Sequence, residues 1–568
     1  MSSVQGRDES VCTFSDFGNV QTGSFDPAKQ PSALSEYSSQ PLGRILIAGT
    51  RSGSGKTTVT VAIIAALKAR GFPIAAFKCG PDYIDPMFLS AALEVPARNL
   101  DPYFSTRDAL RHTVAESGTS LAVIEGVMGY YDGLGSTTRA STFDVAAATE
   151  TPVILVLDPS GMAASAAALL QGFIQYRTPS HLTAVILNNT TQGTYSLVEP
   201  LIRAAGLIPL GYLPRLESVT WPTRHLGLTT ATEIPTLSAS IAALASAAED
   251  HLDLDSLLRC ASTALALPFP GDEGLAEPGL SRCLAPAFAF MTEEPSPCHS
   301  LSIHKLAENP QVSLSALRPR PAGGYPTDGG REIPSGFPFR VRWGGIPPRQ
   351  AANPETTIWV ERTDSRIAIA NDESFCFVYA ETIQLLKDLG AEIVYFSPTH
   401  DPHIPDADAL YLPGGYPELH AETLSANLTM RNDIKSWVQG GVPTIAECGG
   451  FMYLLDDIDG YPMAGAIPGS ATITNHLQHF GYAALTAASD NMLLRKGETM
   501  PVHEFHYADS TSNGRAFSAA KASTGEVYLC GHATDTLYAG FPHLYLPAFP
   551  QAAVRFLERA RLHREARP

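Results

Sequence analysis

The stretch RILIAGTRSGSGKTTVTVAIIAALKARG, Arg44 to Gly71, decides the fold. RILIAGT reads as a buried strand and TTVTVAIIAALKARG as a helix stopped by Gly71. Between them GTRSGSGKTT, Gly49 to Thr58, has the small residues that let backbone N–H groups converge on phosphates. The expected cradle is Gly49, Ser52, Gly53, Gly55, Lys56, Thr57 and Thr58. In it Lys56 supplies a point charge, Thr57 offers a hydroxyl to Mg2+, and the helix start adds its dipole. Gly49 precedes Gly55 by six positions, so the loop is expected to be one residue longer than the standard pattern.

Working outward, the runs PIAAFKCG, LAVIEGVMG, TPVILVLDPSG, TAVILNN and LIPLGYLP alternate with Ala-rich, helix-length stretches. Continuous apolar strands of this kind belong to a parallel sheet covered on both faces. A helical pattern from Thr236 to about Leu267 closes this unit. Residues 268–362 are rich in Pro, Gly and Ser and are expected to be a linker or insertion without regular elements. From Arg366 the rhythm resumes with RIAIAND, EIVYFSP, ALYLPGG and VPTIAECGG. The expectation is an α/β chain of two doubly wound domains, 43–267 and 363–560, with a disordered tail at 1–42 and a short tail at 561–568.

A formal charge of -18 argues against nucleic acid as a partner, because that affinity rests on dense Lys and Arg. No stretch is long and apolar enough for a membrane span, so small molecules are the expected partners. Eight cysteines, none in a CxxC pair, read as reduced thiols, and the first twenty residues lack a secretory pattern. Both point to the cytoplasm. Self-association into a homo-oligomer is left open.

Two groups of residues carry chemistry. KCGPDYIDP places Asp82 and Asp85 just past a strand, and VIEGVMGYYDG places Glu125 at a strand end with Asp132 beyond a glycine turn. These acids face the crevice at the strand C-termini and are expected to hold Mg2+, although Asp82 and Asp132 also suit plain turn formers. In TIAECGGFMYL, Cys448 stands where a strand would turn sharply into a helix, which exposes a thiol and favours its thiolate. LPGGYPE offers the N–H groups of Gly415 and Tyr416 as an oxyanion hole, and GFPHLYL offers His543 as a base. The pair His503 and His506 in HEFHY has no zinc spacing.

Taken in order, GTRSGSGKTTVT, FKCGPDYIDPMF, RNLDPY, IEGVMGYYDG, RHLGL, LPGGYPELHA, AECGGFMYL and HEFHY closely resemble the cobyrinic acid a,c-diamide synthase family. The resemblance covers about 44–265 and 366–560. It implies a dethiobiotin-synthetase-type domain that binds ATP and a corrinoid, followed by a class I glutamine amidotransferase domain with a flavodoxin-like sheet. It further implies glutamine hydrolysis through a thioester on Cys448, with His543 as proton carrier, and ATP activation of the c and then the a acetate. Asp82, Asp85, Glu125 and Asp132 match acids of the synthetase site, with Thr57, Asp82 and Glu125 at Mg2+ and Lys78 and Tyr83 at the substrate. A related tetrapyrrole, or a nucleotide switch with an idle thiol domain, are the alternatives. Departures are Leu89 for a usual histidine, Pro501 and Val502 for Arg-Gly, and Tyr545 for a second histidine. No glutamate lies two positions after His543, so a complete Cys-His-Glu triad is not evident.

Overall fold

A computed structural model describes residues 43–217, 219, 237–267 and 364–567, together with the backbone of short strands at 223–224, 227–228, 337–342 and 355–360. The expected N-terminal tail, most of the expected linker, and His225 and Leu226 of the RHLGL stretch lie outside the described residues. Within the segment expected to lack regular elements, Phe337–Arg342 pairs antiparallel with Glu355–Val360.

The first sheet has seven strands: β1 (Gly43–Gly49), β2 (Ile74–Cys79), β3 (Ala97–Leu100), β4 (Leu121–Glu125), β5 (Val153–Leu157), β6 (Leu182–Leu187) and β7 (Ile208–Tyr212). Their order is β3-β2-β4-β1-β5-β6-β7, and the pairings are parallel. Ile45 and Ile47 enter one apolar core while Leu46 and Ala48 enter the other, which is why β1 is apolar without alternation. Each such side chain contributes roughly 1.5–3 kcal/mol on burial.

The topology places the chemistry. In register, Ile47 of β1 and Lys78 of β2 both lie beside Glu125 at the end of β4. The loop after β1 therefore opens over acids delivered by its neighbour. Helix Lys56–Ala69 starts at Gly55, whose φ of 93° favours glycine. It stops at Gly71, φ 86°, with Phe72 N–H donating to Leu67 O, as a left-handed helix terminus requires.

The second half carries a six-stranded sheet in which Arg366–Ala370, Glu392–Phe396, Ala409–Leu412, Thr444–Glu447 and Leu537–Gly540 run parallel. Against it packs a five-stranded antiparallel sheet built from His479–Ala487, Thr499–His506, Phe517–Lys521, Val527–Cys530 and His543–Leu544. The sequence rhythm did not reveal this second layer, because strands such as His479–Ala487 are only half-buried. Helix Pro550–Ala566 closes the chain, so 561–566 are helical rather than a tail. Arg567 just beyond pairs with Asp406 at 3.1 Å.

The two halves share an aromatic core. Tyr83 stacks on Phe377 at 5.4 Å and meets Tyr379 at 4.3 Å, while Phe104 stacks on Tyr545 at 5.0 Å. Tyr482 stacks on Tyr103 and donates its hydroxyl to Asp101 Oδ2 at 2.9 Å. Such ring pairs add about 0.5–1.5 kcal/mol each beyond the area they bury.

Candidate active sites

At the loop Gly49 to Gly55, compactness rests on two glycines. A Cβ on Gly49 would collide with Ser54 Oγ, and one on Gly55 with Asn188 Nδ2. Asn188 follows β6 and donates to Ser54 O at 3.1 Å, pinning the loop from behind. Ser52 and Gly53 form its exposed tip. Neither Ser54 nor Asn188 was singled out in the sequence; an Asn closing an apolar strand was the available signal.

Lys56 Nζ donates to Met128 O at 2.5 Å, folding over the loop. Burial, then Lys78, pulls its ammonium down to about 8, so anionic phosphates would restore a charge the free protein holds weakly. Thr57, in the first turn beside Thr58, donates to Glu125 Oε1 at 2.5 Å. Lys78 Nζ bridges Glu125, at 2.9 Å, and Asp85. Burial opposes its charge, but the two carboxylates outweigh it and hold the ammonium above its usual range. Glu125 is wholly buried and its Oε2 has no hydrogen-bond partner.

Asp82 Oδ1 accepts from the N–H groups of Ile84, 2.9 Å, and Asp85, 3.1 Å, and so caps its own helix. Burial, then Asp85, pushes this carboxyl upward. Asp132 is exposed, and its Oδ2 accepts from Gly129 N–H at 3.0 Å, so it holds the glycine turn. Among the described residues, no three His, Cys, Asp or Glu side chains cluster as a metal site by themselves.

In the second half, strand Thr444–Glu447 delivers Cys448 at φ 47°, a left-handed elbow that costs about 1–3 kcal/mol for a non-glycine residue. Behind it, a Cβ on Gly450 would strike Leu412 O and one on Gly449 would come within 2.9 Å of Pro417 Cδ, so both glycines serve close helix packing. A Cβ on Gly414 would collide with His543 Cε1 and lie 3.4 Å from Cys448 Cβ. Thiol and imidazole thus flank Gly414. Burial pushes the Cys448 thiol upward, with Glu418 adding, against the pull of Gly449 N–H. The expected low thiol pKa is corrected: the helix Gly449–Leu454 is too short, and the site too dry, for its dipole to prevail.

The oxyanion pair also changes. Tyr416 N–H already donates to Ser374 O at 2.9 Å. Gly415 N–H remains, close enough that a Gly449 Cβ would lie 3.0 Å from it. Beside His543 lies a carboxylate that the sequence reading missed. Glu447 Oε2 is 3.7 Å from His543 Nδ1.

A cavity of about 250 Å³ lies between the two halves, walled by Asp82 and Tyr83 from the first and by His503, His543, Phe377 and Tyr482 from the second. Tyr83, expected to touch substrate, also lies 5.2 Å from the His543 ring. Burial and His543 hold His503 down to about 3, which leaves that imidazole neutral.

Residues 45–228 match the CobQ/CobB/MinD/ParA nucleotide binding domain, and 366–547 match the CobB/CobQ-like glutamine amidotransferase domain. The cobyrinate a,c-diamide synthase of Priestia megaterium is 32% identical over 92% of this chain and 98% of its own. That of Dehalococcoides mccartyi strain CBDB1 is 33% identical over 90% and 97%. The hydrogenobyrinate a,c-diamide synthase of Thermobifida fusca is 32% identical over 91% and 96%. With a nucleotide-binding half, a thiol-bearing amidotransferase half and likeness along nearly its whole length, the chain belongs to the cobyrinate a,c-diamide synthase family of glutamine-dependent amidotransferase ligases.

Proposed function

We propose that the protein amidates the a and c carboxylates of cobyrinate or hydrogenobyrinate, using ATP, Mg2+ and glutamine. The observation that carries this reading is a cavity between the halves with His543 in one wall and Asp82 in the other. Cys448 Sγ attacks the glutamine side-chain carbonyl as His543 takes the thiol proton, and the oxyanion settles on backbone N–H groups. The C–N bond breaks, His543 returns the proton to the leaving nitrogen, and ammonia and a thioester result. Water then releases glutamate.

Ammonia is largely protonated in water, so generating it from glutamine within the same protein supplies the unprotonated nucleophile at high effective concentration. In the first half a substrate carboxylate takes the γ-phosphoryl group of ATP and becomes an acyl phosphate. Ammonia attacks that carbon, the C–O bond breaks, phosphate departs, and the surplus proton leaves the new amide. The phosphate loop and Lys56 gather the triphosphate, and Lys78 offsets the carboxylates around it. The unpartnered Oε2 of Glu125 and the adjacent Thr57 hydroxyl are hard oxygen donors that would hold Mg2+. When bound, Mg2+ supplies charge neutralisation at the transferred phosphoryl group.

The direct test supplies purified protein with ATP, Mg2+, glutamine and either pigment, and follows mass. Two successive amide additions, each matched by one glutamate and one ADP, are expected; no mass change with either pigment overturns the reading. Gly414→Ala checks the geometry independently. Its methyl group would wedge between His543 and Cys448, so glutaminase activity should fall by about a hundredfold or more while ammonium-supported amidation stays near parental. Parental glutaminase activity in this variant would count against the pair.

A further inference from the structure

The nucleophile and base described above lack an evident partner for the imidazole. The position two residues after His543 holds Tyr545, whose ring is committed to Phe104 across the domain boundary. His543 is buried, and its Nδ1 has no hydrogen-bond partner. A base left this way has neither a fixed tautomer nor a counter-charge for its imidazolium.

Glu447 directly precedes the nucleophile and is 1% exposed. Its Oε1 accepts from Tyr411 O–H at 3.0 Å and from Leu544 N–H at 3.1 Å. The second donor is the residue after His543, so the carboxylate is tied to the strand that carries the base. Oε2 stands 3.7 Å from Nδ1, an ion-pair distance rather than a hydrogen bond. A shift of about 1 Å would close it, and free enzymes commonly hold such contacts long until substrate binds.

We propose that Glu447, supplied by the nucleophile's own strand, is the carboxylate that orients His543 and balances its imidazolium. The proposal rests on Cys448 being the nucleophile. As the thiol proton passes to Nε2, the proton on Nδ1 stays in place and is donated to Glu447 Oε2. A neutral pair becomes thiolate and imidazolium, and the charge that forms meets a fixed anion in a site that excludes water. Burial pushes the Glu447 carboxyl upward, and the principal opposing pull comes from His543, as such a pairing requires. The other groups facing the imidazole are Tyr83, His503 and Cys448, and His503 is held neutral.

The test is Glu447→Gln. The amide keeps an acceptor for Tyr411 and Leu544 but turns N–H toward Nδ1, forcing the wrong tautomer. Glutaminase kcat should fall by about 10²–10⁴-fold with KM within about threefold, and ammonium-supported amidation should persist. The acid limb of glutaminase kcat/KM should move to lower pH by about one unit, because the imidazolium loses its counter-charge. Glutaminase activity within about threefold of parental, or a fall with the acid limb unmoved, would overturn the assignment. If the amide variant fails to fold, Glu447→Asp is read instead. Retained charge at shorter reach predicts a kcat lower by about tenfold at an unmoved limb, and a parental kcat or a displaced limb would overturn it. Failure of the underlying reading shows separately, as glutaminase activity surviving Cys448→Ser.

Discussion

Cys448→Ser should abolish glutamine hydrolysis, by about four orders of magnitude or more, and with it glutamine-supported amidation. Amidation supplied with ammonium salts should continue. The size of the effect follows from the site. The thiol is buried and held protonated in the free protein, so turnover depends on transfer of its proton to His543 as the S–C bond forms. A serine hydroxyl is harder still to deprotonate, and the elbow at φ 47° leaves no second nucleophile in that position. Assaying glutamate release and amide formation side by side, with each nitrogen source, checks this. Retained glutaminase activity would remove Cys448 from the mechanism.

The second large effect is expected on the other side of the cavity. Glu125→Gln should lower amidation by about 10²–10⁴-fold with either nitrogen source while glutamine hydrolysis stays within about twofold. Glu125 is wholly buried, holds the Thr57 hydroxyl and Lys78, and has an Oε2 with no hydrogen-bond partner. The amide keeps its shape and loses its charge. Lys78 then has only Asp85 as close counter-ion, which should also cost roughly 1–3 kcal/mol of stability, measurable as a lower Tm. Equal loss of both reactions in a folded variant would contradict separate sites.

The contrast between the two halves shows what can be read from sequence. Lys56, Thr57, Lys78 and Glu125 were legible because each ends or follows an apolar run, and parallel register brings such ends to one edge of a sheet. Cys448 was legible from its glycines and His543 from the run before it. Asp132, read both as an acid of the site and as a turn former, accepts from Gly129 N–H, because an Asp near glycine serves a turn as readily as a metal. Tyr416 misled because a backbone N–H does not show in sequence whether it is already spent.

Strand periodicity, the phosphate loop and the positions of thiol and imidazole are local properties, set by side-chain size, branching and glycine φ, and the sequence alone determined them. What stands beside what was decided only in three dimensions. Glu447 lies 96 residues from His543 in the chain and meets it because antiparallel strand His543–Leu544 returns beside the elbow. Asn188 locks a loop closed more than a hundred residues earlier. The thiol's protonation was likewise a tertiary outcome, because desolvation depends on everything packed around a group and not on its neighbours in sequence.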